Sequence, residues 1–171
     1  MKLKLIILIL VFGGYAQITT AQIEARYLLG HKSEASKQTP KAYGSYARGC
    51  LAGGEELEIN GPTWQVMRLS RGRNWGHPNM IAYLKRISKK VAKETNWNGL
   101  YIGDISQPRG GPMISGHASH QLGLDADIWM LPAKKLNLSR LKREKLSSIN
   151  IRSDNKKLTS SNWTNDHMKV M

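Results

Sequence analysis

The chain has 171 residues, of which 40% are hydrophobic and 7% aromatic, which is enough apolar material for one domain with its own core. A single cysteine excludes an internal disulfide, and the sequence shows no collagen period, heptad array or solenoid repeat. The formal net charge of +14 predicts anionic surroundings, whether a nucleic acid, a membrane surface or a cell-wall polymer.

Residues 1–21 have the pattern of a secretory signal peptide. Lys2 and Lys4 precede an apolar run over 5–12, which is far shorter than the roughly 20 residues that cross a bilayer. Thr19-Thr20-Ala21 supplies the small residues that a signal peptidase reads. We therefore predict cleavage after Ala21, an exported protein without a stable membrane span, and no nucleic-acid partner.

Two strands are predicted soon after a polar amino-terminal stretch. Residues 22–41 are polar and predict a loosely ordered lead-in, and we expect the folded domain to cover 42–171. Residues 57–59 and 64–69 favour strands, and Asn60-Gly61-Pro62 between them favours a turn.

A helix and two more strands follow in the prediction. Pro78 suits the first turn of a helix, and the apolar residues after it keep helical spacing: Ile81, Leu84, Ile87 and Val91. Residues 100–103 predict a short strand. Residues 123–130 alternate with period two, so Asp125 and Asp127 share one face. The opposite face carries the apolar members Ala126, Ile128 and Met130. Together these elements predict an α+β fold, a small antiparallel sheet with helices packed against it.

The residues that could bind a metal or take part in a reaction lie between His117 and Asp127. His117 and His120 are three residues apart and can converge on one point from a turn or helix. Asp127 projects from the predicted strand and can complete a face of ligands. Imidazole nitrogen and carboxylate oxygen suit zinc, which catalytic sites hold with three protein ligands and one open position. The spacing alone also fits a structural cluster, in which the histidines hydrogen-bond a glycine-rich loop that Asp125 and Asp127 cap.

The same stretch, with four others in order, carries a resemblance to a known family. The stretch itself is Gly116-His117-Ala118-Ser119-His120-Gln121-Leu122-Gly123-Leu124-Asp125-Ala126-Asp127-Ile128. The others are Gly44-Ser45-Tyr46-Ala47-Arg48-Gly49-Cys50, Gln65-Val66-Met67-Arg68, Trp75-Gly76-His77-Pro78 and Ile102-Gly103-Asp104. In this order they resemble the penicillin-insensitive murein endopeptidases, zinc metallopeptidases related to D-Ala-D-Ala peptidases and the hedgehog domain. The resemblance runs from about residue 42 to residue 132.

The resemblance implies a fold, a substrate and a metal. It implies a hedgehog- or DD-peptidase-like fold and a periplasmic enzyme that cleaves D-alanyl-meso-diaminopimelyl cross-links in peptidoglycan. Carried over by position, His120 and Asp127 are implied as ligands of Zn²⁺, and His117 as a further ligand. The anionic cell-wall polymer is then the partner that the basic charge of the chain fits.

Two departures from the family pattern bear on activity. The family's third core ligand and its general-base histidine belong to a His-x-His element that nothing after Asp127 matches. His167 is the only later histidine, and it lies too early in the chain and lacks the second histidine. Family members also pair the cysteine that Cys50 matches with another near the carboxyl end. We therefore expect a chain without the family's carboxy-terminal part, impaired in activity and with an unassigned catalytic base.

Two other classes of protein stay open on the sequence. One is a non-catalytic cell-wall-binding module that retains the zinc-site half of the fold. The other is a basic protein at a nucleic acid or membrane surface, in which the His/Asp cluster is structural. Of the three hypotheses, only this last one predicts that the purified protein contains no zinc.

Overall fold

The computed structural model describes residues 24–152 and 160–171. The signal peptide predicted for residues 1–21 lies outside the described residues. Within them, no helix is long and apolar enough to cross a membrane.

Residues 24–41 make specific contacts with later parts of the chain, since the Ser36 hydroxyl accepts from the Gly53 N–H at 3.0 Å and the Glu34 carbonyl accepts from the Arg109 side chain at 3.2 Å. Residues 24–30 form helix α1. Its Leu29 side chain lies 2.2 Å from the position that a Cβ on Gly111 would take, so only glycine fits at that contact. Polar composition gave no sign of this docking, because the contact depends on a glycine far along the chain.

Short strands form three small sheets. They are β1 (Lys41–Ser45), β2 (Arg48–Ala52), β3 (Glu55–Glu56), β4 (Trp64–Val66), β5 (Trp75–Gly76), β6 (Leu100–Ile102) and β7 (Ile128–Trp129). β1 pairs with β2, and β3 with β5, both antiparallel. The third sheet has the order β4-β6-β7, with β4 parallel and β7 antiparallel to β6. The α+β class is confirmed, but this third sheet is mixed and not antiparallel.

The parallel pair follows from the helix between β4 and β6, since parallel neighbours need a long crossover. The helices after α1 are α2 (Pro78–Glu94), α3 (Arg140–Lys145) and α4 (Asn165–Val170). α2 begins at Pro78, as predicted, and the Asn79 N–H donates to His77 Nδ1 at 3.2 Å to cap it. The predicted apolar face is buried at Ile81, Leu84 and Val91.

The turn predicted at 60–62 is confirmed, because the Gly61 N–H donates to the Trp64 carbonyl at 3.0 Å. The strands predicted beside it are displaced. β3 ends before residues 57–59, and β4 ends at Val66 instead of continuing to residue 69. Arg68 has a φ of 53°, which turns the chain out of the extended conformation and into a 3₁₀ turn, Leu69–Arg71.

The third sheet forms the centre of the fold, with an apolar cluster packed against each of its faces. Leu100 and Ile102 face the larger core cluster, to which α2 contributes, and Tyr101 faces a second cluster with Trp129. β7 is shorter than the predicted 123–130 strand. Its predicted apolar face is confirmed, since Ala126, Ile128 and Met130 all pack against the larger cluster.

α3 is fixed to this sheet by Arg143, a buried cation with 5% exposure. Its guanidinium donates to the carbonyls of Leu138, Ile59 and Val66 and to the side-chain oxygen of Asn60. Buried charges need such partners because desolvation is costly. These bonds therefore hold α3 firmly against β4 and the turn that precedes it.

Candidate metal centre

The backbones of Asp104 and Asp127 meet beyond the ends of β6 and β7. The Asp127 N–H donates to the Asp104 carbonyl at 2.9 Å, and the Gly103 N–H donates to the Asp127 carbonyl at 2.8 Å. These bonds continue the pairing of Ile102 with Ile128. The two carboxylates are therefore attached to the edge of the buried β6–β7 pair.

His120 is buried between two aspartates. Its Nε2 lies 3.4 Å from Asp127 Oδ1, and its Nδ1 lies 2.7 Å from Asp125 Oδ2. The angle at Nδ1 is not that of a hydrogen bond, so this buried nitrogen is unsatisfied among the described residues. His120 also has a φ of 65°, a left-handed conformation that is uncommon outside glycine. Such backbone strain persists where surrounding structure imposes it, and it clusters at functional sites.

His117 stands beside His120 on the exposed side of the cluster. The two ring centroids are 5.4 Å apart, with the rings nearly perpendicular. The Nε2 of His117 lies 3.7 Å from Asp104 Oδ2. The structure thus brings His117, His120 and Asp127 into one cluster, with His117 directed toward Asp104.

Asp104 is almost fully buried and is neutralised by two arginines. Arg71 Nη1 lies 2.9 Å and Arg73 Nη1 2.8 Å from the same oxygen, Asp104 Oδ2. Arg73 also donates to the backbone and hydroxyl oxygens of Ser115. Arg73 thereby ties the loop before His117 to the end of β6. Sequence reasoning missed both arginines, because they lie more than 30 residues from Asp104 and belong to no recognisable spacing.

Gln121 holds the other side of the histidine segment. Its Oε1 accepts from the Gly49 N–H at 3.1 Å, and its Nε2 donates to the carbonyls of Ala47 at 2.9 Å and Ala118 at 3.0 Å. The buried amide therefore joins the β1–β2 hairpin to the segment that carries both histidines. The sequence motif contained Gln121 but gave no indication of this role.

The charges of the cluster favour an ion pair between His120 and Asp127. Burial lowers the pKa of His120, but the contact with Asp127 and the nearby carboxylates outweigh it, so the pKa is raised. Contact with His120 lowers the pKa of Asp127, against the opposing effect of burial. Because a metal binds the neutral imidazole, a cation that binds at this nitrogen must displace any proton held there.

The spacing of this pair fits two ligands of zinc. Two ligands at about 2.0–2.2 Å from a tetrahedral ion stand about 3.3–3.6 Å apart. His120 Nε2 and Asp127 Oδ1 are separated by 3.4 Å. No group of three His, Cys, Asp or Glu side chains converges on a point within residues 24–152 and 160–171. The spacing of the donor pair therefore fits zinc, and His117 beside it is 42% exposed.

His167 has a structural role, because both of its ring nitrogens are engaged in hydrogen bonds away from the candidate centre. It is fully buried. Its Nδ1 accepts from the Thr164 N–H at 3.0 Å, and its Nε2 donates to the Met130 carbonyl at 2.9 Å. The ring lies against Trp97 and Trp163. Both nitrogens are engaged, so this imidazole is not available as a general base.

We expect His167→Ala to lower the free energy of unfolding by about 2–3 kcal/mol without changing zinc content. The substitution removes a helix cap, worth about 1 kcal/mol, together with aromatic contacts and the donor to Met130. Urea denaturation and metal analysis measure the two effects separately. His31→Ala is the control, since His31 is exposed. A stable His167→Ala protein that had lost its zinc would contradict the structural role.

Comparison with known proteins places the chain in a family. A profile described as penicillin-insensitive murein endopeptidase matches residues 42–171. The chain is 48% identical to the penicillin-insensitive murein endopeptidase of Haemophilus influenzae over 98 residues, which are 57% of this chain and 33% of the relative. The protein of that name from Pectobacterium atrosepticum is 42% identical over 104 residues, covering 60% and 37% of the two chains. The one from Yersinia enterocolitica is 36% identical over 126 residues, covering 73% and 45%.

The chain thus spans between a third and a half of the length of these relatives. The profile match is longer than these alignments and covers more than half of the chain. It includes every candidate site residue and the β6–β7 framework that positions them. The chain belongs to the penicillin-insensitive murein endopeptidase family of metallopeptidases.

Proposed function

We propose that this chain is a zinc-dependent endopeptidase for D-alanyl-meso-diaminopimelyl cross-links in peptidoglycan, with His120, Asp127 and His117 as its metal ligands. The observation that carries the proposal is the 3.4 Å pairing of His120 Nε2 with Asp127 Oδ1 on the β6–β7 framework. The names of the relatives support murein as the substrate. In this proposal the protein is exported to the periplasm, and its net charge of +14, to which Lys2 and Lys4 of the predicted signal peptide contribute only two, suits an anionic wall polymer.

The side chains around the centre have distinct roles in this proposal. Zinc, when bound, polarises the scissile amide carbonyl and lowers the pKa of water toward about 7. His120 and Asp127 would hold the ion, and the Asp125 carboxylate lies 2.7 Å from the second nitrogen of His120 as a nearby negative charge. Arg73 and Gln121 keep the histidine segment in place from its two sides.

A second candidate function is a zinc-containing module that binds the cell wall without cleaving it. One observation favours it. Within residues 24–152 and 160–171, the histidines at the centre are His117 and His120, and His167 has both nitrogens engaged. Both imidazoles at the centre are proposed ligands, which leaves no imidazole there to accept a proton from water.

Incubation of the zinc-loaded protein with purified muropeptide dimers tests the proposal. We expect slow conversion of dimers to monomers, with the new termini at D-alanine and at meso-diaminopimelate, abolished by a chelator and restored by zinc. Chromatography with mass spectrometry identifies the products. Sedimentation with intact murein sacculi, without any cleavage, would support the binding module. A purified protein that contained no zinc and did not bind sacculi would contradict both the endopeptidase and the binding module.

A further inference from the structure

A pocket of about 370 Å³ opens next to the arginine–aspartate cluster. Three cations line it, Lys32, Arg71 and Arg140, together with one carboxylate, Glu56. Its volume is in the range of sites for small ligands. The cations come from three separate parts of the chain, the segment after α1, the 3₁₀ turn and the start of α3, so the fold assembles this charge.

The positive charge of the pocket is only partly compensated. Arg71 shares Asp104 with Arg73. Arg140 is near enough to Glu144 of the same helix to help lower the pKa of that carboxyl, but neither Lys32 nor Arg140 makes a direct ion-pair contact with another described residue. Glu56 accepts a hydrogen bond from the Asn74 side chain at 3.1 Å. The wall therefore keeps an excess of positive charge with unused N–H donors.

Arg140 is held in place by its own helix. Glu144, one turn further along α3, accepts from the Ser70 N–H at 2.8 Å and from the Ser70 hydroxyl at 2.9 Å. Arg143 anchors the same helix to β4. Because α3 is fixed at two points, the base of the Arg140 side chain has a defined position on the rim, which reduces the entropy lost on binding.

The pocket is connected to the candidate metal centre through Arg71. The Arg71 guanidinium is 2.9 Å from Asp104 Oδ2, and that oxygen is 3.7 Å from His117 Nε2. The pocket and the candidate centre therefore share one chain of side-chain contacts, from Arg71 through Asp104 to His117. Peptide cross-links with free carboxylates supply groups of the required charge.

We propose that this pocket binds a carboxylate of the peptide substrate, through Arg71 and Arg140 with Lys32 at the edge. The inference rests on the proposed function for the choice of a peptide as the ligand. Guanidinium groups recognise carboxylates with paired N–H donors, and they do so best where water is partly excluded. Lys32 precedes residues 42–171, the part that the family profile matches, so one wall of the subsite is built by a segment outside it.

Binding to metal-free protein tests the subsite separately from catalysis. The probe is a monomeric muropeptide with a tetrapeptide stem, titrated by calorimetry in two forms, with free carboxylates and with amidated ones. We expect the free acid to bind about 10-fold more tightly than the amide, and Arg140→Gln and Lys32→Gln each to weaken the free acid about 3- to 10-fold. Lys89→Gln, on the exposed side of α2, is the matched control and should change binding less than twofold.

Three results would overturn the subsite. They are equal binding of acid and amide, equal weakening by Lys89→Gln and Arg140→Gln, and inorganic phosphate binding as tightly as the free acid. Because no metal is present, these outcomes do not depend on turnover. Selective binding of the acid by a protein that never cleaves dimers would keep the subsite and reject the endopeptidase. Cleavage of dimers by a protein that binds acid and amide equally would keep the endopeptidase and reject the subsite.

Discussion

His120→Ala is expected to lower the zinc affinity of the purified protein by more than about 100-fold. This loss is larger than the one usually seen when a residue that only supports a ligand is replaced. His120 supplies the buried nitrogen of the pair that lies at ligand spacing, and two remaining side chains make a poor zinc site. Asp127→Ala should weaken binding nearly as much. Competition titration with a chromophoric chelator measures the affinities.

Ser119→Ala is the matched control for this series. Ser119 is the immediate neighbour of His120, but a serine hydroxyl is not among the usual ligands of zinc in proteins. We expect its zinc affinity to stay within about threefold of the unaltered protein, far from the effect of a lost ligand. If Ser119→Ala and His120→Ala weakened binding alike, zinc would not be held by His120.

A polypeptide of these 171 residues is expected to cleave muropeptide dimers about 10²- to 10⁴-fold more slowly than the full-length Haemophilus influenzae relative. That range is the usual contribution of a positioned general base. His117 and His120 are the imidazoles at the centre among the described residues, and in our proposal both hold the metal. Initial rates with both proteins saturated with zinc provide the comparison.

The rates can be compared only if both proteins are folded. Circular dichroism should show that both proteins are folded at the assay temperature. Rates within about threefold of each other would contradict the expectation and mean that the base is already present in this chain. His167 is the residue to exclude in that case, and His167→Gln would do so by leaving the rate unchanged.

Local signals in the sequence predict the elements that depend on local chemistry. α2 begins at Pro78 because proline fixes the first turn, and its buried face follows the spacing of Ile81, Leu84 and Val91. The apolar run over 100–102 likewise predicts the strand found there. The end of β4 could not be predicted in the same way, because it depends on the left-handed backbone of Arg68, which composition does not signal.

The same distinction holds at the candidate centre. His117, His120 and Asp127 lie in one short motif, so the sequence already offers them as candidate ligands, although their spacing alone also fits a structural cluster. Arg71 and Arg73 could not be found that way, because only the fold brings them to Asp104. The docking of residues 24–41, which places Lys32 at the pocket, likewise depends on contacts between distant segments.

An anomalous-scattering map at the zinc absorption edge, from crystals of the zinc-loaded protein, would show directly whether His120 and Asp127 hold the metal. We expect one strong peak within about 2.0–2.2 Å of His120 Nε2 and of an Asp127 carboxylate oxygen, with His117 turned toward it. A zinc peak elsewhere in the molecule, or His120 and Asp127 left in contact with each other and free of metal at full zinc occupancy, would contradict it.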